Sequence, residues 1–326
     1  MTPREVARQL IADRPSIPRG VGEAYAPANI ALVKYWGKRD AGLNLPVTSS
    51  LSISLGEKGT RARVAAAGRD GLTINGVALD PAAKEFRRMA AYLDLFRPAP
   101  DFGFQLDTVS TIPMAAGLAS SASAFAAVTL AVDRLFGWNL SPSSLSILAR
   151  MGSGSACRSL FAGFVRWNAG ERADGMDSFA EPLAVAWPEF RIGVLKLSSA
   201  EKKTGSRDGM NQTVAESPLY AAWPALVARD MVTVTAALEA RDFPRLGLAA
   251  ERNALAMHGT MLGCTPPLLY FLPESVAVIH RVQEARAAGV PMYLTMDAGP
   301  NVKLLFLSEA ESAVRRVFPE VDVIQP

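Results

Sequence analysis

From Thr108 to Val132 the chain carries no charged residue. A stretch of this length is kept from water either across a bilayer or inside a folded core. A membrane span needs about 20 consecutive apolar residues on unbroken helical backbone, but Pro113, Gly117 and four serines interrupt this run. A strand, a loop and a helix account for it better. Phe104 to Val109 alternates as a strand, Pro113 to Ser121 is a Gly/Ser-rich loop, and Ser123 to Leu135 is an Ala-rich helix that belongs in a core. The chain is therefore read as a globular protein with no membrane partner.

At 326 residues it has room for two domains, and 49% hydrophobic against 20% charged residues excludes a disordered chain. The 34 Lys and Arg against 31 Asp and Glu leave only +3, too little to attract nucleic acid by bulk charge. Any positive site must be a local cluster. Cys157 and Cys264 form no CxxC pair and no disulfide framework, which points to reduced thiols in the cytoplasm. Near the N-terminus Glu5 and Asp13 interrupt the positive stretch of Arg4 and Arg8, and no apolar run follows, so a signal peptide is not expected. Residues 4 to 12 read as a short amphipathic helix that stops before Pro15.

Ser50 to Leu55 has period two, and Arg61 to Val64 suits a neighbouring strand, so the first part reads as antiparallel sheet. Asn75-Gly76 signals a turn, and 82 to 95 a helix. After a polar loop from Asn168 to Asp177, Phe190 to Leu197 reads as a new strand. Helices over 218–240, 244–257 and 272–288, strands over 291–296 and 302–307, then a helix and a final strand complete the pattern. Helices and strands segregate rather than alternate, which favours α+β over a doubly wound sheet. The domain boundary is expected near residue 188, giving units of 1–188 and 189–326.

Between the strand and the helix of the uncharged run, small residues let backbone N–H groups approach an anion, and the helix N-terminus adds partial positive charge. Pro113, Ala116, Gly117, Leu118, Ala119, Ser120 and Ser121 form this candidate phosphate cradle. It is not a Walker A loop, because GxxxxGK[ST] is absent. Taken alone, it serves equally well as a turn capping a core helix.

The Pro-x-x-x-Gly-Leu-x-Ser-Ser pattern resembles the nucleotide-phosphate loop of the GHMP kinases. Three more segments narrow the resemblance to the mevalonate diphosphate decarboxylases: Ala26 to Arg39 continuing through Leu43 to Pro46, Gly152 to Leu160, and Met296 to Asn301. Weaker likenesses at Gly209 to Thr213 and Glu216 to Pro218 fall between them. The resemblance implies a GHMP-kinase-like two-domain fold, with an N-terminal ribosomal-S5-domain-2-like sheet and a C-terminal ferredoxin-like α/β sandwich. It also implies ATP and Mg²⁺ as cofactors, mevalonate 5-diphosphate as substrate, and a homodimer. The reaction would phosphorylate the tertiary 3-hydroxyl and then release phosphate and CO2, leaving isopentenyl diphosphate.

By resemblance, Asp297 takes the hydroxyl proton, Lys34 supplies the cation at the transferred phosphoryl group, and Arg158 holds the departing carboxylate with its planar fork. Arg158 is also expected to keep Asp297 ionised by proximity. Tyr35, Lys38, Ser153, Gly154 and Ser155 are the implied contacts to substrate, joined by either Arg87 or Arg88. No metal ligand is assigned. Individually these residues have ordinary readings: Asp297 in a turn, the lysines as solvated charges, Ser153 and Ser155 as caps, Trp36 in the core. Their joint occurrence in order is what favours a site. His258 and His280 are read as structural, and Cys157 is rejected as a nucleophile.

The chain departs from the family pattern at Lys202 to Asp208, where a Ser/Thr-rich run is usual, and in the leader before Glu23, which is longer than the resemblance implies and to which no role is assigned. Two rivals stay open, decarboxylation of the monophosphate and a relative that only binds ligand; phosphorylation without decarboxylation is disfavoured, because by resemblance the kinase-only forms should lack the combination of Asp297, Lys34 and Arg158 that this chain retains.

Overall fold

A computed structural model of the chain describes residues 1–112, 120–200 and 203–326, with backbone alone for Ser120. Helix α1 (Pro3–Ile11) opens on a capping box in which the Thr2 hydroxyl accepts from the Glu5 N–H while the Glu5 carboxylate accepts from the Thr2 N–H. Strand β1 (Val21–Val33) follows, then the small hairpin of β2 (Lys38–Asp40) and β3 (Leu45–Pro46).

Ser50 to Leu55 and Arg61 to Val64 are not neighbouring strands. They belong to one 18-residue strand, β4 (Ser50–Ala67), paired antiparallel with β1. Gly56, at φ 56°, bends the strand without reversing it. The register on β1 shifts between Pro27 and Asn29, so this is a bulge and not a turn. The Asn75-Gly76 turn does form, with both residues at positive φ, joining β5 (Gly71–Ile74) to β6 (Val77–Ala78).

Helix α2 (Lys84–Leu93) and strand β7 (Gly103–Ser110) come next. Helix α3 (Ser120–Phe136) then carries the uncharged run into the interior, with Ala126, Ala127, Val128 and Ala131 fully buried. Helix α4 (Pro142–Gly152), capped by Ser141, leads to a 3₁₀ turn at Gly154–Arg158 and to β8 (Phe164–Trp167) and β9 (Ala180–Pro182). Among the described residues the first sheet has seven strands in the order β6-β5-β7-β4-β8-β9, with β1 along the other edge of β4. From Asn29 to Val33, β1 is buried at every residue, because α3 packs on it from one side and the second half of the chain from the other. Such a strand has no alternation to read.

The second half contains β10 (Phe190–Leu195), α5 (Ser206–Glu216), α6 (Trp223–Ala240), α7 (Phe243–Leu262), α8 (Pro273–Ala287), β11 (Met292–Met296), β12 (Val302–Leu307), α9 (Glu311–Val317) and β13 (Asp322–Ile324). Its strands form an antiparallel sheet in the order β11-β12-β10-β13, against which α7 and α8 pack. Helix α6 begins later than the expected 218, because a 3₁₀ turn over Pro218–Ala222 precedes it. The class is α+β, and segregation of helices and strands is its visible cause. One apolar core runs through both halves, joining Ile30, Leu32, Leu51 and Ile53 to Phe190, Leu246, Leu294 and Phe306. Among the described residues no helix is long and apolar enough to cross a membrane.

Candidate active site

The two sheets meet around a cavity of about 500 Å³, within the range of about 300–1,000 Å³ usual for small-molecule sites. Lys34, Tyr35 and Lys38 reach it from the end of β1 and the start of β2, and Ser153, Gly154, Ser155 and Arg158 from the 3₁₀ turn. Asp297, just beyond β11, completes the wall, and Ser121 in the first turn of α3 joins it. Pro113, Ala116, Gly117, Leu118 and Ala119 lie outside the described residues, as does the Ser120 side chain. Arg88 lines the cavity and donates to Gly152 O at 3.1 Å, whereas Arg87 is not on its wall.

The centre is a carboxylate held on both oxygens. Lys34 Nζ donates to Asp297 Oδ1 at 2.9 Å and Lys303 Nζ to Oδ2 at 3.2 Å. Burial alone would raise the Asp297 carboxyl, but the two ammonium groups outweigh it and hold it below the ordinary carboxylate range. Burial lowers Lys34 to about 8 despite the attraction of Asp297, with Lys303 and Arg158 adding like-charge repulsion. The repulsion that Lys303 and Arg158 exert on Lys34 points to an excess of positive charge. The wall bears this out, with six basic side chains (Lys34, Lys38, Lys84, Arg88, Arg158 and Arg207) against two carboxylates (Asp208 and Asp297). Such a cavity selects anions.

Arg158 acts on Asp297 through space, its charge and the carboxylate favouring each other, but it does not bond the carboxylate directly. Its Nε donates to Ser52 Oγ at 3.0 Å, Nη1 to Ser50 Oγ, and Nη2 to Asn29 Oδ1 at 3.4 Å, and it forms no ion pair with Asp297 among the described residues. Three anchors on β1 and β4 fix the guanidinium plane, leaving one N–H on each terminal nitrogen to face a ligand. Lys34 and Lys303 supply the direct bonds to that carboxylate instead.

Lys34 is itself positioned by a buried relay: its backbone N–H donates to Asn253 Oδ1 at 2.7 Å, and Asn253 Nδ2 donates to Asp230 Oδ2 at 2.9 Å. Lys38 Nζ donates to Asn44 Oδ1 at 2.7 Å, and Asn44 Nδ2 donates to the carbonyls of Arg150 and Met151. Burial lowers Lys38 to about 8, with Arg207 and Arg88 adding repulsion. The Tyr35 hydroxyl is buried and has no partner among the described residues, a state that a bound ligand would relieve. Gly154 is required beside it, since a Cβ there would stand 2.8 Å from the Tyr35 ring.

His258 Nε2 lies 3.1 Å from Asp297 O, and its ring stacks on Phe271 at 4.5 Å. Burial lowers it to about 4, so it is neutral near pH 7, and because a carbonyl only accepts, the proton sits on Nε2. Burial pushes the Cys157 thiol up to about 12, which leaves no nucleophile there.

Sequence reasoning missed Lys303, Asn253, Asp230 and Asn44 as parts of the site. Lys303 did leave a trace, as the one charge in the otherwise apolar strand Val302–Leu307. Asn253 and Asp230 left none, for their roles exist only where α6 and α7 meet β1.

Residues 26–180 match the family described as diphosphomevalonate decarboxylase-like N-terminal domain, and residues 192–323 match the mevalonate 5-diphosphate decarboxylase C-terminal domain. A diphosphomevalonate decarboxylase of Aspergillus fumigatus is 40% identical over 313 residues, covering 89% of this chain and 77% of that protein. The crystal structure of mevalonate diphosphate decarboxylase from Staphylococcus aureus superposes with a TM-score of 0.89 at 36% identity, over 94% of this chain and 95% of that one. A structure of MDDEF in complex with MVAPP, AMPPCP and magnesium gives 0.86 at 39% identity, over 94% and 96%. With both halves matched in order, and relatives well above 30% identity covering most of its length, the chain belongs to the diphosphomevalonate decarboxylase family.

Proposed function

We propose that this chain catalyses the ATP-dependent decarboxylation of mevalonate 5-diphosphate to isopentenyl diphosphate, with ADP, phosphate and CO2 as co-products. The observation that carries the reading is the anion-selective cavity in which Lys34, Asp297 and Arg158 converge. The related structure that holds MVAPP, AMPPCP and magnesium supports the same substrate and cofactor classes.

In this reading Asp297 orients the 3-hydroxyl and receives its proton. A carboxylate held by two ammonium groups is a weak base, which suits a loose phosphoryl-transfer transition state in which positioning and charge matter more than early deprotonation. Lys34 faces the transferred phosphoryl group, where negative charge is redistributed. Arg158, fixed by Ser50, Ser52 and Asn29, presents its remaining N–H groups to the substrate carboxylate until CO2 departs. The Tyr35 hydroxyl meets substrate, while Lys38, Arg88, Ser153 and Ser155 meet its diphosphate.

We assign the nucleotide phosphates to the start of α3 and to the sequence Pro113 to Ser121 that leads into it, most of which lies outside the described residues. When bound, Mg²⁺ would neutralise charge on those phosphates, and Asp208, the wall carboxylate that no lysine engages among the described residues, would be the side chain placed to help hold it.

We divide the chain into domains 1–188 and 189–326, a division supported by family matches that stop at 180 and resume at 192. We place the enzyme in the cytoplasm, consistent with its free, buried Cys157 and Cys264, and infer a homodimer from the family likeness. Light scattering tests the dimer.

The test of activity is to incubate the protein with ATP, Mg²⁺ and, separately, mevalonate, its 5-phosphate and its 5-diphosphate, measuring ADP and CO2. Equal release of both from the diphosphate is expected. CO2 from the monophosphate alone, ADP without CO2, or silence with all three would each replace this reading with another.

A further inference from the structure

Both oxygens of Asp297 are engaged, but by unlike partners. Lys34 lies on the cavity wall, whereas Lys303 does not line the cavity at all. Lys303 projects from β12, which is hydrogen-bonded to β10 on one side and β11 on the other, with Lys303 opposite Val194 and Thr295. It is 1% exposed. Its ammonium also donates to Asn301 O at 3.4 Å. One ammonium therefore faces the space that substrate would fill, and the other holds the carboxylate from behind.

We infer that Lys303 is a positioning residue for catalysis: it anchors Asp297 Oδ2 from the protein side, so that Oδ1 and Lys34 keep their aim at the reacting hydroxyl when Lys34 turns to the transferred phosphoryl group. This inference rests on the reading of Asp297 as the group that receives the hydroxyl proton.

The argument is one of geometry and charge. Asp297 stands just beyond the end of β11 with a partly exposed side chain, so close packing does not by itself fix its carboxylate. If Lys34 were its only partner, moving that ammonium toward an incoming phosphoryl group would leave the carboxylate unpaired and free to rotate. A second cation behind it removes both difficulties, since the charge stays compensated and one oxygen stays fixed. Misplacing a reacting group by about 1 Å can cost about 100-fold in rate, so a tether of this kind matters to kcat. It does not line the cavity, so it should matter little to binding. His258, which donates to the Asp297 carbonyl, holds the backbone of the same residue from a third direction.

The test is a double-mutant cycle with full-length protein, ATP, Mg²⁺ and mevalonate 5-diphosphate. In Lys303→Met, kcat is expected to fall by about tenfold or more while KM for both substrates stays within about threefold. In an Asp297→Asn background the same change should cost nothing further, because the anchored charge is already gone. An unchanged kcat in the single variant, or an equal loss in both backgrounds, overturns the anchor. If Lys303→Met does not fold alone, Lys303→Gln, which keeps a polar donor but removes the charge, takes its place in both backgrounds with the same expected and contradicting results. A wild-type enzyme that releases no CO2 removes the underlying reading; normal wild-type turnover with an unaffected Lys303→Met removes only the anchor.

Discussion

Lys34 and Asp297 are 263 positions apart in the sequence, and their side chains meet at 2.9 Å. Each sits just beyond the end of a strand, Lys34 after β1 and Asp297 after β11. These strands belong to different sheets, joined by one apolar core. The site therefore exists only when both halves fold against each other, and neither half carries it alone.

The burial that lowers Lys34 and Lys38 to about 8 sets an alkaline limit. A lysine below its ordinary value loses its proton as pH rises through the lowered value, so kcat/KM should fall above pH 8. Bound phosphates favour the ammonium form, so the limit in kcat should lie at higher pH. Steady-state rates across pH 6–10 check both; a kcat/KM that stays flat past pH 9 contradicts the account.

Arg158→Lys should lower kcat by roughly 100-fold while leaving nucleotide affinity nearly unchanged, because lysine cannot bond Ser50, Ser52 and Asn29 and still offer a planar pair of donors. Kinetics alongside calorimetric titration of an ATP analogue separate the two effects. A rate within threefold of wild type ends the carboxylate-holding role.

Lys38→Met removes a cation that Asn44 aims into the cavity. A lost charge-assisted hydrogen bond of about 1.5–3 kcal/mol corresponds to a KM for the diphosphate raised by roughly 10- to 100-fold. The KM for ATP should move far less. Equal change in both would place Lys38 elsewhere in the reaction.

Asp230 is fully buried, bonded by Arg252 and by the Asn253 amide that holds the Lys34 backbone. Asp230→Ala leaves those donors unpaired and should cost about 2–4 kcal/mol of stability. It should also lower kcat through Lys34. Denaturant unfolding measures the first; a loss below about 1 kcal/mol would show the relay to be dispensable.

How much of this was legible beforehand depended on the range over which each interaction acts. The Asn75-Gly76 turn, α2, β7 and most of the second half followed from local pattern, because turn chemistry and periodicity act within a few residues. Strand β4 was split in the reading because Gly56 looks like punctuation in one dimension and is a bulge in three. Helix α5 went unseen: Gly209, Asn211 and Thr213 weaken its local signal, and it buries little more than Gly209, Met210 and Thr213. In the site, motif order located Lys34, Arg158 and Asp297, and all three line one cavity. The sequence could not say that two lysines rather than Arg158 hold Asp297, because partner choice is set by the register of β11 against β12.

The most direct measurement is turnover of Asp297→Asn, which keeps the shape of the side chain but removes the carboxylate. With ATP, Mg²⁺ and mevalonate 5-diphosphate, CO2 release should fall by roughly 100- to 10,000-fold, the usual contribution of a positioned base, while an ATP analogue still binds. Near-normal CO2 release from that variant would contradict the account at its centre.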